Sequence, residues 1–368
     1  MKYTNLIFIS SFYTIFLLVG IFTFRDYGIG IEEIFQRASG FYWLKFLLSY
    51  TDLEQLKNLT NLKLQEVYLL NPQLPKVSQN LGYGILFDVP ASLMELFFNF
   101  NKFENNIYLK HLLCFIIFII SGFCFTLFLI NRFSNLYVTI FGTLSYCLSP
   151  KIYGASFFDG KDLFFLSLFS ITIYFYQKYE LKKKYKFLII FALFTAFLTS
   201  SRLIGLMIFT SFISIYLIKI LSKDELNKNL KILSIYIISF LILLYLHWPF
   251  LWDLLNFKVF DFVENKNITF FFNGDFYKQD NIPLIFIPQL ILISTPAFIC
   301  IFFLMGLFLI LKKFYLNLIS IDEKINKKTD FWINKNEEID FLILLCFFQT
   351  IIIYLIFNDR FTASWRHF

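Results

Sequence analysis

The chain has 368 residues, of which 58% are hydrophobic and 16% charged, and its formal net charge is +7. A soluble domain carries about 45–50% apolar and about 25% charged residues, so this composition excludes an ordinary soluble globular protein. The positive charge sits in short Lys-rich stretches between apolar blocks, which argues against nucleic acid as its partner.

A bilayer core needs about 20 apolar residues in helical form. The apolar blocks predict nine spanning helices, near 5–23, 112–131, 135–150, 163–177, 187–200, 203–221, 232–250, 284–311 and 340–357. The first follows Lys2 as a signal peptide would. It is too long for a usual h-region and lacks a small-residue cleavage site, so it counts as a helix. With the N-terminus in the cytoplasm, alternation puts Arg132, 178–186, 222–231 and 312–338 on the inner side. These stretches are dense in Lys, notably Lys182-Lys183-Lys184, as the positive-inside rule requires. The fold class is all-α: a polytopic transmembrane bundle forming one domain over 1–368.

The first outer loop, 24–110, is the longest stretch outside the spans. Leu53, Leu56, Leu59 and Leu62 recur there at near-helical spacing among Glu, Lys and Asn, which predicts an amphipathic helix lying in the membrane interface. Asn71-Pro72 stops it. Further outer loops are expected at Pro150–Asp162 and from Phe250 to Pro283, and 312–338 should be a solvated inner loop. The five cysteines lie in apolar helices without metal-type spacing, and the three histidines are widely scattered.

Four polar clusters stand out. In Asp159-Gly160-Lys161-Asp162 three charges together would cost roughly 8–10 kcal/mol at mid-bilayer, so the chain breaks to the surface there. The acids either cap the next helix or line the mouth of an outward cavity. In Arg25 to Arg37, Glu32 and Glu33 either favour the start of a helix through its dipole or supply a general base, since adjacent carboxylates repel and one pKa rises. Arg202, in Thr199-Ser200-Ser201-Arg202, either snorkels to the interface or grips a phosphate. His247-Trp248-Pro249-Phe250-Leu251-Trp252 is either an aromatic belt or a wall for a sugar or lipid. All four clusters fall on the outer side. A shared site of acids and bases at headgroup depth suggests chemistry on a lipid-linked phosphate.

The ordered motifs resemble the GT-C superfamily of membrane glycosyltransferases, the group related to dolichyl-phosphate-mannose–protein mannosyltransferases (family 39) and lipid A aminoarabinose transferases. Tyr27 to Arg37 looks like that family's first outer loop, and Ser149 to Asp162 like its Ser-Pro-Arg…Lys-Asp segment. Ser201-Arg202-Leu203-Ile204-Gly205 looks like its Arg-containing hairpin, and Trp248-Pro249-Phe250-Leu251-Trp252 like its Trp-Pro-x-x-Trp step. Ile282-Pro283 through Thr295-Pro296 and Trp365-Arg366-His367 look like later motifs. The chain departs from the pattern at Glu32, Ala155 and Asp159-Gly160. It stops inside the last motif, as a truncated reading frame would.

The resemblance implies transfer of a sugar from a polyprenyl-phosphate donor to a lipid, glycan or protein acceptor on the periplasmic face of a bacterial inner membrane. Glu33 or Asp162, with Glu32 beside them, would act as general base in an inverting displacement. Arg202 and Lys161 would offset the leaving phosphate, with Asp159, Trp248, Arg366 and His367 as further substrate contacts. A divalent cation, Mg or Mn, on Glu32, Glu33 and Asp162 is an additional option. A transporter or lipid flippase would instead place its charges within helices near the midplane, and a scaffold would be indifferent to substitution of the outer acids.

Overall fold

A computed structural model describes residues 3–30, 32–77, 82, 84–99, 102–133, 135–221, 225–253, 269–278, 281, 283–323 and 335–356. It is 83% helical. Five helical stretches are long and apolar enough to cross a membrane: Phe103–Arg132, Leu203–Leu221, Leu226–His247, Ala297–Leu316 and Lys335–Ile356. Ile7–Thr23, Leu136–Cys147 and Tyr185–Ser201 are apolar but shorter. The expected all-α class holds, with one small exception described below. The chain divides into two compact units.

The first unit comprises residues 1–175, 193–203 and 241–259. Its elements begin with α1 (Tyr3–Thr23), α2 (Glu33–Leu48), α3 (Glu54–Leu70), α4 (Asp88–Phe98) and α5 (Phe103–Arg132). Next come α6 (Leu136–Cys147), α7 (Pro150–Phe158) and the start of α8 (Asp162–Lys182). The end of α9 (Tyr185–Ser201) and the end of α11 (Leu226–His247) complete it. Aromatic rings dominate the packing of α1, α5 and α7. Tyr27 stacks on Phe157 with centroids 4.2 Å apart, and Phe157 stacks on Phe115 at 4.6 Å. Burying one such ring contributes about 1.5–3 kcal/mol.

The amphipathic helix expected between residues 24 and 110 is α3, and it ends at Asn71 as the Asn-Pro step predicts. It faces the protein through Thr60 and Val67, while Leu59 and Leu62 are exposed. Arg37, 2% exposed, ties three helices together. Its Nε and Nη2 donate to Glu95 of α4 at 2.5–3.1 Å, and Nη2 also reaches Glu66 of α3 at 3.3 Å.

Three boundaries differ from expectation. Helix α5 begins at Phe103, so Lys110 and His111 lie inside it and not in the loop. Both are buried, and their partners lie outside the helix, which is why an apolarity count rejects them. The segment Pro150–Asp162 is mostly helical: Pro150 starts α7, where its missing N–H costs nothing. Helix α6 has 12 residues, about 18 Å, short of a bilayer core.

The second unit comprises residues 176–192, 204–240 and 260–368. It holds α10 (Leu206–Leu221), α12 (Phe286–Ser294), α13 (Ala297–Glu323) and α14 (Lys335–Ile356), with parts of α8, α9 and α11. The predicted helix 284–311 is interrupted at Thr295-Pro296, where proline denies α12 its next hydrogen bond. Helix α13 then continues through Glu323, beyond the expected start of the inner loop. Its apolar side chains stay exposed, among them Ile301, Leu304, Phe308 and Leu309. Phe191, Phe212 and Tyr236 stack at the core, the last two with centroids 4.1 Å apart.

At one end of this unit Lys219 pairs with Glu338, Lys183 with Glu180, and Lys313 with Glu337 at 2.7 Å. These residues come from the stretches, or the helix ends beside them, that charge assigns to the inner side. The exception to the all-α class is a hairpin, β1 (Thr269–Phe272) with β2 (Asp275–Lys278), antiparallel. Asn273 and Gly274 both take positive φ in its turn, the conformation an Asn-Gly hairpin favours.

Candidate functional site

The site of the first unit is built where α1 ends, α2, α4 and α8 begin, and α9 and α11 end. Helix α8 starts after a turn fixed by Asp159, whose Oδ1 accepts the backbone N–H of Lys161 at 3.1 Å and of Asp162 at 2.8 Å. A carboxylate accepting from the first amides of a helix satisfies donors that the helix cannot. Asp159 therefore does the capping that the sequence offered to Asp162. Asp162, relieved of it, forms an ion pair with Arg202 beyond the end of α9. Both are largely buried, at 12% and 11% side-chain exposure, so water screens the pair weakly. Lys161 reaches across to Glu32, Nζ to Oε2 3.5 Å.

Glu33 is the first residue of α2 and 2% exposed. Its Oε2 accepts the Gly30 N–H at 2.6 Å, and its Oε1 lies 3.1 Å from His111 Nε2. The other ring nitrogen of His111 faces the Phe24 carbonyl at 3.1 Å. Lys110 donates to the Glu33 backbone carbonyl at 3.2 Å. This knot joins the end of α1, the start of α2 and α5. Glu32 and Glu33 point at different nitrogen groups, Lys161 and His111.

The end of α9 is also fixed. Ser200 accepts the Gly84 N–H through its carbonyl at 2.8 Å, and its hydroxyl lies 2.9 Å from His247 Nε2. A Cβ at Gly84 would meet the Ser200 carbonyl oxygen at 2.6 Å, so only glycine permits this approach. Trp248 is 5% exposed and packs with Trp43, Leu44 and Phe250 in an apolar cluster. It does not line the cleft described next.

That cleft is small, about 20 Å³, room for little more than a water molecule. Its polar lining is Gln36, Asp88, Lys161 and Ser201; Gly84, Gly160, Phe87 and Phe164 complete it. Asp88 opens α4, is 8% exposed and is hydrogen-bonded by Ser39. Burial pushes its carboxyl up to about 6, against the pull of Lys110 and Lys161. Sequence reasoning missed Asp88, Gln36, Lys110 and His111. Gln36 stands in the motif that carries the resemblance, and that was the one available signal. The structure brings together Glu32, Asp159, Lys161, Asp162 and Arg202, with Glu33 behind them. Arg366 and His367 lie outside the described residues.

No family model, curated protein or solved structure matches the chain.

The donor set does not suit a divalent cation. Glu32 is held by Lys161, Glu33 by His111 and Asp162 by Arg202, so each proposed ligand already faces a nitrogen donor. Among the described residues no three His, Cys, Asp or Glu cluster as metal ligands. What the arrangement offers is two acid–base pairs and a buried carboxyl, Asp88, which shares a small cleft with Lys161.

Proposed function

We propose that the chain is a membrane glycosyltransferase of the GT-C kind, moving a sugar from a polyprenyl-phosphate donor to an acceptor hydroxyl. In this reading nine helices cross a bacterial inner membrane, the N-terminus is cytoplasmic and the cleft faces the periplasm. The observation that carries it is the convergence of Asp162 with Arg202, and of Glu32 with Lys161, at helix ends that charge alone assigns to the outer side. A transporter needs its charges along a midplane path; alternation and loop charge put these at one surface. The exposed leucines of α3 and the apolar surface of α13 suit contact with lipid.

The donor's isoprenoid tail would lie among the apolar helices, its phosphate at Arg202 and Lys161. Guanidinium suits bidentate phosphate contact, and its engagement frees the Asp162 carboxylate. That carboxylate takes the proton of the acceptor hydroxyl as its oxygen attacks the anomeric carbon. The anomeric carbon–oxygen bond breaks, and the polyprenyl phosphate leaves with the electron pair, its charge offset by Arg202 and Lys161. Attack opposite the leaving group inverts the centre. The metal plays no part in this scheme.

The test is transfer of label from a polyprenyl-phospho-sugar in membranes containing the full chain. Wild type should transfer, and Asp162→Asn should slow transfer by about 10²–10⁴-fold. An Asp162→Asn variant as fast as wild type overturns the assignment.

A further inference from the structure

Within the second unit two carboxyl groups meet below the surface. Glu180, in the last turn of α8, is 0% exposed, and Glu338, in the first turn of α14, is 3% exposed. Their side chains lie within hydrogen-bonding reach of one another. Two ionised carboxylates have no hydrogen with which to make that bond. Glu180 Oε2 accepts from Lys183, but its buried Oε1 has no hydrogen-bond partner among the described residues. A native protein rarely leaves a buried acceptor so.

The groups around the pair are committed elsewhere. Lys219 of α10 donates to Glu338, as does the Tyr176 hydroxyl of α8 at 3.3 Å. Tyr179 of α8 and Tyr216 of α10 are hydrogen-bonded to each other at 3.1 Å, with Tyr185 of α9 near Tyr179. Lys313 of α13 holds Glu337 at 2.7 Å. Lys183 has 39% side-chain exposure, so water screens its charge. A water molecule would satisfy Glu180 Oε1 but would leave two buried negative charges side by side.

We infer that Glu180 and Glu338 form a proton-binding site, in which one proton held between the two carboxyl groups ties the end of α8 to the start of α14. The ligand is the proton itself. None of these groups enters the transferase scheme, so the inference does not rest on that reading. Burial and the facing Glu338 push the Glu180 carboxyl up to about 7, against the pull of Lys183 and Lys219. The native state therefore binds the proton more tightly than the unfolded chain, whose value is 4.5. The stability this contributes is full below pH 4.5 and is lost as pH rises through about 7.

The experiment is infrared difference spectroscopy on the purified full chain in lipid nanodiscs, titrated from acid to alkaline pH. An Asp88→Asn background removes a second carboxyl raised toward neutrality. The carbonyl band of a protonated carboxyl should disappear as pH rises through about 7. Glu180→Gln should abolish that band. Glu338→Gln should keep it and move its midpoint to lower pH, because the facing charge is gone. The Tm of Glu180→Gln relative to its parent should climb between pH 4.5 and about 7 and level off above.

The inference is overturned if the Asp88→Asn protein shows no such band. That result needs no change at the site, so it holds whether or not the glutamine variants fold. A band that survives in folded Glu180→Gln, or keeps its midpoint in Glu338→Gln, overturns it too. So does a Tm difference that ignores pH. No readout here uses sugar transfer, so the transferase reading stands or falls separately.

Discussion

Asp162 and Arg202 form an ion pair although nearly the whole of α8 and α9 separates them in sequence. The pair closes the hairpin those helices make at the end bearing the cleft. Arg202→Lys keeps the charge but loses the planar fork. In the proposed transfer it should raise KM for the lipid donor by about tenfold with a smaller effect on kcat, while Arg202→Leu should raise KM and lower kcat together. Steady-state kinetics with a labelled polyprenyl-phospho-sugar separates the two.

Glu33 is a structural anchor, because its carboxylate bridges Gly30 and His111. Glu33→Gln and His111→Ala should each lower Tm, by about 1–3 kcal/mol of stability, through a buried partner left unsatisfied. The double variant should cost less than the sum of the two. Thermal unfolding in detergent reads this directly, and strictly additive losses would mean the contact carries no coupling.

Asp88 gives a pH dependence with a definite sign. Its folded-state value of about 6 lies above the free value of 3.8, so the native state binds the proton more tightly. The stability this contributes is full below pH 3.8 and is lost as pH rises through about 6. Asp88→Asn should therefore raise stability at pH 7.5 relative to wild type, by up to about 3 kcal/mol. Near pH 4 the two should converge. A Tm difference independent of pH contradicts this.

Arg37 and Glu95 are both buried, and removing Glu95 leaves the guanidinium only the more exposed Glu66. Glu95→Ala should cost about 3–5 kcal/mol, whereas Arg37→Met with Glu95→Leu should recover most of it. Unfolding midpoints of the three variants decide this, and a double variant no better than the single would contradict it.

In the second unit, Lys219→Met should destabilise by a comparable amount, because Glu338 is 3% exposed and pairs with Lys219. Adding Glu338→Gln should restore part of the loss. Protease resistance in membranes provides the measurement.

Much of the helix pattern was legible because apolar blocks and their breakers act locally. Helix α1 ends at Thr23 as predicted, and α3 stops at the Asn71-Pro72 step. Alternation and loop charge grouped Glu32, Lys161, Asp162 and Arg202 on one side, and the structure pairs them two by two. What was missed depends on partners far away in sequence. Lys110 and His111 look like loop residues until Glu33 is seen to hold them inside α5. Asp88 and Gln36 are ordinary polar residues of an outer loop until packing buries them around a cleft. Two local signals were present and unused: Pro150 at the first position of α7, and Asn273-Gly274 at the hairpin turn.

One oxygen of Asp159 fixes where α8 begins, and so which way its first side chain points. Each added residue turns a helix by about 100°. A single-residue insertion between Asp159 and Asp162 would rotate the acid away from Arg202 without removing any side chain. The spacing of this short turn is thus a setting for the angle of the carboxylate, and a length change there should silence the site more completely than many substitutions.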